Sequence, residues 1–489
     1  MARQGFLVAC LVGLTAADSS SAQEVRAFLG NLHSHTGYSD GLSSIKPKDA
    51  YRRARENGLQ FLAITEHNHS RCEDGAPPER RDGVMIGRDP SLYNGTDEDA
   101  LIATADRMNE DGAFVTLYGQ EFSSISKGNH INVFDIAEVI SDRAVPNGRF
   151  DKLINEWLPS HPASDGRPPL VQFNHPFFRG SDPFELEYGK DDFGSDEEWV
   201  RRMGERARTI EILNGPGTEP GVTGGRPEEV AEAQYLKFLN LGFHLAPSGD
   251  QDNHYLNEGT ETDARTGIIA DGLTRAKLLA AIDARHVFAT EDKNLRVIFR
   301  VDDHLCGDRL PPHEFGSELK VRFRIEDDDP SESQATYRVD VFSGTIRGGV
   351  ARIVDTVQVT GNTTDGTIED LRYTGGPQYV FFRVTQILEG EEGGDHDRAW
   401  TAPVWFDAPR TEPGRDADSG GVTTPPQPPA GPGSTPEEVT RLVASKRSSS
   451  YHLSLECLDA QRIKASNLVR GEAARQGRTL HPGCPRKVQ

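Results

Sequence analysis

From Phe28 to about Asp292, runs of apolar residues alternate with amphipathic stretches. "LQFLAITEHNH" is continuously apolar and then ends in polar side chains, and "AFVTLYGQEFS", "PLVQFNHP", "TIEILNG" and "FHLAPSGDQDNH" repeat that shape. Runs of this kind are strands buried on both faces. Between them lie helical stretches. "KPKDAYRRARENG" starts near Pro47 and stops at Gly58, the expected punctuation of a helix, and "RPEEVAEAQYLKFLNLG" and "TRAKLLAAIDARH" follow. The alternation predicts an α/β fold, a parallel sheet with crossover helices, closed or open. Near Asn294 the period changes. "NLRVIFRVDD", "LKVRFRIEDD", "TYRVDVFSG", "IVDTVQVTG" and "QYVFFRVTQ" alternate apolar and polar residues between Gly and Asp turns. That pattern predicts an antiparallel β-sandwich of Ig-like size, closing at "APVWFDAP".

Composition divides the rest of the chain. Residues 409–438 are rich in Pro, Gly, Ser, Thr and Asp without a pattern, as in a disordered linker. Residues 439–489 form a basic C-terminal segment, in which "AQRIKASNLVRGEAARQG" reads as a helix. The expected organisation is therefore a leader over 1–22, an α/β domain over 23–293, a β-sandwich over 294–408, the linker, and the small segment. The leader has Arg3, an apolar run from Phe6 to Ala17, and Ser20-Ser21-Ala22 as a cleavage site. That is a secretory signal, too short to span a membrane, and it predicts a secreted or periplasmic protein. A rival reading takes "LVAC" as a lipobox with Cys10 lipidated; the apolar run continues past Cys10, which favours simple cleavage. No other stretch is apolar for long enough to span a bilayer. The net charge of -22 argues against general binding to nucleic acid or an anionic membrane. It leaves room for an anionic substrate held through metal ions, whose charge reverses the local field.

The chemistry sits at the polar ends of the strands. In "GNLHSHTGYSDG", His33 and His35 stand two apart and so face the same way on a strand. Alone, His-x-His is as well explained by a surface strand. Other apolar runs end alike, however: His67 and His69 after "AIT", Glu121 after "LYGQ", His175 after "VQFN", and Asp252 with His254 after "APSGDQ". His130 begins "HINVF". Ligand-type residues gathered at strand ends are the pattern of barrel enzymes. Imidazole and carboxylate without thiolate suit Zn, Mn or Fe.

The motifs "LHSHTGYSDG", "ITEHNH", "YGQEFS", "GNHINVF", "FNHP" and "DQDNH" resemble those of the polymerase-and-histidinol-phosphatase (PHP) domain. The resemblance is strongest to a secreted branch that includes carbamate hydrolases. It implies a distorted (β/α)7 barrel, here followed by the Ig-like sandwich, and two or three divalent metal ions. His33, His35, Glu121 and Asp252 would hold one ion, with Glu121 bridging to a second that adds His130 and His175. Asp40, His67 and His254 would hold a third. Glu66 stands where the family usually has Asp, a position suited to orienting a ligand. In "GDQDNH" the D-x-H spacing favours Asp252 as ligand and leaves Asp250 for a supporting or proton-handling role. His69 fits no ligand role and reads as a satisfied loop histidine. Glu211 and Asn214 either line the site or make a strand-end turn; the sequence favours neither.

A metal-bridging hydroxide would be the nucleophile, so Glu121 and Asp252 count as catalytic as well as ligating. Lys127, Arg179 and Arg71 are candidate contacts to an anionic substrate, against the plainer reading of solvated loop charges. The expected function is a phosphoesterase acting on phosphomonoesters or phosphodiesters. A carbamate, ester or amide hydrolase on the same centre is the first alternative, and a non-catalytic, metal-stabilised binding module the second. After cleavage of the leader, Cys72, Cys306, Cys457 and Cys484 remain. Export favours a Cys457–Cys484 disulfide over a zinc site of His452, Cys457, His481 and Cys484.

Overall fold

The computed structural model describes residues 25–69, 84–123, 130–176, 188–217, 229–388 and 396–408, together with the backbone of short strands after 442. The chain divides into two units, Met1–Thr411 and Glu412–Gln489. The first is mixed α/β, dominated by one large sheet.

Strands β1 (Arg26–Asn31), β2 (Phe61–His67) and β3 (Val115–Phe122) run parallel. β4 (Ile131–Phe134) is antiparallel to β3 and to β5 (Leu170–Phe173). β6 (Ala207–Asn214) is parallel to β5, and both β7 (Glu229–Val230) and β8 (Ala246–Gly249) pair with β6. On the other side β1 is antiparallel to β9 (Arg265–Ala270), which is antiparallel to β10 (Val287–Thr290). The sheet is thus mixed, where the apolar runs predict a parallel one. The reason at β4 is length: the link from Phe122 to Ile131 is too short for a crossover, so the chain must turn back.

Among the described residues, backbone pairing does not close this ladder into a barrel, because no strand ladder joins β8 to β9 or β10. A side chain links them instead: the Thr266 hydroxyl of β9 accepts from Gly249 N at 2.9 Å and donates to Gly249 O at 3.1 Å.

The helices follow their sequence signals. Pro47–Glu56 begins on proline and buries Ala50, Tyr51 and Ala54 on one face, in a core with Leu62 and Ile64 of β2. Asp196–Gly204 is capped by Ser195, whose side chain accepts from Glu198 N. Arg275–Asp283 is capped likewise by Thr274. Glu232–Leu241 ends at Gly242 with φ 107°, a left-handed stop that a side chain would resist.

From β11 (Arg296–Val301) to β20 (Val404–Phe406) all described pairing is antiparallel except one short parallel contact, between β13 (Arg309–Leu310) and β20. β11 (Arg296–Val301), β12 (His304–Leu305), β14 (Val321–Glu326) and β17 (Thr363–Ile368) form a four-stranded sheet. β15 (Thr336–Thr345), β16 (Arg352–Thr360), β18 (Gln378–Ile387), β19 (Arg398–Thr401) and β20 extend the large sheet, because β19 pairs with β10. The two groups meet in one core, where Phe382 of β18 lies 4.0 Å from Phe299 and 5.7 Å from Phe323 between ring centroids. The boundary expected near Asn294 falls between β10 and β11, and the β10–β19 ladder spans it. Cys306 is buried and free; Cys72, Cys457 and Cys484 lie outside the described residues.

In the second unit, Val443–Ser445, Ser450–His452, Leu468–Arg470 and Thr479–Leu480 form a four-stranded sheet. At Leu468–Arg470 this corrects the helix expected across "AQRIKASNLVRGEAARQG"; the rest of that stretch lies outside the described residues. Leu468–Arg470 pairs antiparallel with Val443–Ser445, so strand pairing overrides the local helix preference of that stretch. Among the described residues, no helix is long and apolar enough to cross a membrane.

Candidate metal centre

The site lies where several strands of the large sheet end together. His67, the last residue of β2, is in register with Glu121 of β3. Glu121 is in register with Asn132 of β4, and because β4 is antiparallel the residue before it, His130, arrives at the same edge. His175 follows β5. Asp250, Asp252 and His254 follow β8, and a bridge between Ser34 and Asn253 ties that loop to the one after β1. His33, His35, Asp40, His67, Glu121, His130, His175 and His254 are all buried; Asp252 retains 17% of its side-chain exposure, the most open of the set. His175 and Asp252 have φ of 25° and 48°. Such backbone is rare for residues with side chains and is typical of functional sites.

Ligand-type atoms converge around Glu121. Its Oε1 lies 3.3 Å from His33 Nε2, 3.0 Å from His130 Nδ1 and 3.2 Å from His175 Nε2. Its Oε2 lies 3.2 Å from His35 Nε2 and 3.1 Å from His67 Nδ1. Asp252 Oδ1 lies 3.2 Å from His33 Nε2 and 3.1 Å from His35 Nε2, and those two nitrogens are 3.1 Å apart. Asp40 Oδ1 is 3.2 Å from His254 Nε2 and 3.7 Å from His67 Nε2, with His35 Nδ1 at 3.9 Å.

These separations suit metal ions. Nitrogen and oxygen ligands held 2.0–2.2 Å from one ion stand roughly 3–3.5 Å from each other, which is the spacing of His33, His35, Asp252 and Glu121. Three buried groupings meet the geometry: His33, His35 and Glu121; His67, Glu121 and His130; and His35, Asp40, His67 and His254. The residues named from the sequence for the metals are therefore brought together. The pattern did not foresee that His67 stands against both Glu121 and Asp40. His69 is buried with its ring tilted 4.8 Å from that of His67. Lys127, Arg179 and Arg71 lie outside the described residues.

The charges are strongly interdependent. Burial disfavours a charged His33, but Asp252, Glu121 and Glu211 together hold its pKa well above the ordinary histidine range. Burial likewise opposes a charged His35, yet Asp252 and Glu121 push it up to about 10. Burial opposes ionisation of Glu121 and Asp252 too, and the imidazoles, His33 first, hold both well below the carboxylate range. His67 goes the other way: burial, helped by neighbouring His35 and His69, holds it well below the ordinary histidine range.

Supporting residues fix the ligands. Glu211 was open between a site role and a turn, and the structure assigns it to the site. Its Oε1 accepts from His33 Nδ1 at 2.7 Å, turning Nε2 toward the cluster. Its Oε2 accepts from His175 N and from Asn214 Nδ2. Glu66 accepts from Thr36 Oγ1 at 2.5 Å and from Ser39 Oγ, and Ser39 Oγ lies 3.2 Å from His35 Nδ1. Asp250 is a brace between strands: it accepts from Leu32 N at 2.6 Å, Thr266 Oγ1 at 2.9 Å and Gln172 Nε2 at 3.0 Å. Burial, then Glu211, push its carboxyl up to about 7. Sequence reasoning missed Asn31, Asn132, Gln172 and Asn174. Asn174 donates to Glu121 Oε1 at 2.8 Å and to Asn132 Oδ1 at 2.9 Å, and Asn31 donates to Asn253 Oδ1 at 2.9 Å. The signal was available: each is a polar residue in, or next to, an otherwise apolar strand.

Replacing Glu211 by Gln is expected to weaken metal retention by about 10–100-fold, the usual cost of losing an outer carboxylate partner of a ligating histidine. Competition with a chromophoric chelator measures it; unchanged retention would show that Glu211 is only packed there.

No family model matches the chain, and no curated protein matches it.

Proposed function

We propose that this chain is an exported metal-dependent hydrolase of the PHP type, with phosphoesters as its substrate class. In this reading, the strands from β1 to β10 are a distorted (β/α)7 barrel and those from β11 to β20 an Ig-like sandwich. One observation carries the reading: the two oxygens of Glu121 face different imidazoles, His33, His130 and His175 on one side and His35 and His67 on the other. A carboxylate so placed can span two cations.

His33, His35 and Asp252 would hold one ion with Glu121, His130 and His175 a second, and Asp40, His67 and His254 a third. When bound, such ions supply Lewis acidity and water acidified to near neutral pKa. The protein's own part is orientation and exclusion of water. Glu211 keeps His33 turned inward, the Glu66–Ser39 pair holds His35, and Asn174 fixes Glu121. Burial of nearly every ligand leaves Asp252 as the exposed approach. The net charge of -22 disfavours long nucleic acids as substrates. Small phosphoesters fit better, with Lys127, Arg179 and Arg71 as candidate anion contacts.

The test uses mature protein from residue 23, with metals counted per chain. In the same preparation p-nitrophenyl phosphate, bis-p-nitrophenyl phosphate and a naphthyl carbamate are assayed. Two or three ions, with phosphoester turnover abolished in His33→Ala, is the expected result. Carbamate turnover alone would transfer the reading to carbamate hydrolysis. Bound ions with no turnover would leave a metal-stabilised binding module, and less than one ion per chain, with no difference between wild type and His33→Ala, would overturn the ligand set itself.

A further inference from the structure

The loop after β8 brings Asp252 and His254 to the histidine cluster, and its far part folds into a turn over residues 257–261. Thr260 N and Glu261 N both donate to Asn257 O, at 2.9 and 3.0 Å, and Gly259 takes a φ of 81°. The turn rests on the end of the helix Pro47–Glu56. Asn57, which closes that helix, donates from Nδ2 to Glu258 O at 2.6 Å. The fit is close: a side-chain carbon on Gly259 would stand 3.0 Å from Asn57 Cβ and 3.2 Å from Leu59 Cγ.

Glu258 is the anomaly in this turn. Its side chain is fully buried, and neither Oε1 nor Oε2 has a hydrogen-bond partner among the described residues. The buried Glu66, Glu211 and Asp250 each accept two or more hydrogen bonds. A carboxylate buried without such partners is costly and gives way to the neutral acid. The charged groups that face it are Arg53 and Asp49 of the helix and Glu261 of the turn. Burial pushes its carboxyl well above the carboxylate range; its own N–H and Arg53 pull the other way, and Glu261 and Asp49 add to the rise.

A buried amide links this turn to the cluster. Asn253 stands between the two ligand-type residues. Its Nδ2 donates to Glu261 Oε2 at 2.9 Å and to Asn257 Oδ1 at 3.2 Å, one at each end of the turn. On its other side Asn253 O accepts from His35 N at 2.8 Å, and Oδ1 accepts from Asn31 Nδ2 at 2.9 Å. Movement of the turn therefore pulls on the residue that Asp252 and His254 flank.

We infer that Glu258 is a proton-controlled latch on this loop. Neutral, it lets the turn pack on the helix end; ionised, it leaves the interior, lifts the turn, and draws Asp252 and His254 from the cluster. The consequence for bound metal rests on the centre proposed above; the movement of the loop does not. Linkage fixes the sign. A carboxyl held neutral in the closed loop contributes its full stability below the ordinary carboxylate range, and that contribution is lost as pH rises toward the raised value. The latch thus loosens the loop as pH rises, the reverse of proton competition for the histidines, which weakens metal binding as pH falls.

Hydrogen exchange of the full metal-free chain, read by mass spectrometry on peptides spanning 251–264 from about pH 5 to about pH 8, tests this. Glu258→Gln is the reference at each pH, and Glu258→Leu, which cannot ionise either, is a second reference should the first misfold. Wild type is expected to exchange within a few-fold of the variants at the lowest pH. Above it, the excess should grow by up to about tenfold per pH unit, because opening releases a proton that the closed loop holds. Exchange that is the same with and without Glu258, or a pH effect spread evenly over the chain, would overturn the latch. After loading with zinc chloride, competition with a chromophoric chelator should show wild type losing zinc relative to both variants over the same range. Zinc retention that does not follow the exchange would overturn the link to Asp252 and His254. No zinc held by any of the three proteins would instead overturn the proposed centre, with the exchange result still deciding the latch.

Discussion

Glu121→Gln should empty the metal centre more completely than any other single change. The variant keeps the volume and the hydrogen bond from Asn174 but loses the charge that faces five imidazoles. On the proposed function, turnover should fall about a thousandfold, since ~4 kcal/mol is what lost charge stabilisation by bound ions amounts to. Metal content should drop to one ion or fewer per chain, with the far-ultraviolet circular dichroism unchanged. Elemental analysis beside a phosphoester assay reads both. Full metal content with lost turnover would make Glu121 a reacting group and not a bridge. Unchanged turnover would remove the site from the reaction altogether.

The largest expected loss of stability is at Phe382→Ala. This ring is fully buried between Phe299 and Phe323, at the meeting of the four-stranded sheet with the large one. Truncating a buried phenylalanine costs about 3–5 kcal/mol, the lost transfer energy plus the cavity left behind. Against a typical total of 5–15 kcal/mol that is a large share. Because β10 pairs with β19, the damage should reach the half that carries the histidine cluster. Urea unfolding followed by tryptophan fluorescence and by circular dichroism should give one coincident transition, shifted to lower urea. Two separated transitions would show that the ladder does not couple the halves.

The strands, their buried runs and the ligand residues at their ends were legible because each depends on local spacing. "FLAITEH" carries its own burial in its apolar run, and His-x-His its own facing. Partner choice is not local. β4 turns back on β3, β9 runs against β1 and β10 against β9, although the text of their sequences differs little from that of the parallel strands. The short link before β4 was a usable sign; β9 and β10 offered none. Glu211 was legible as a candidate and undecided in role, since only the fold shows that His33 Nδ1 stands 2.7 Å from it. The amide network of Asn31, Asn132, Gln172 and Asn174 was hidden for the same reason. "NLVRG" shows the opposite failure: a stretch with helical preference contains a strand triplet once Val443–Ser445 is there to pair with.

The register of β3 has a consequence for assembly. Glu121 meets the imidazoles only because Phe61–His67 and Val115–Glu121 align residue for residue. Side chains alternate along a strand, so a slip of one position would present Gln120 or Phe122 in its place and turn the carboxylate to the opposite face. On the proposed function, uptake of the ions would be a proofreading step for the nascent sheet: a chain that has paired its central strands wrongly would offer no bridge. Metal content would serve as a measure of correct folding before any substrate is known.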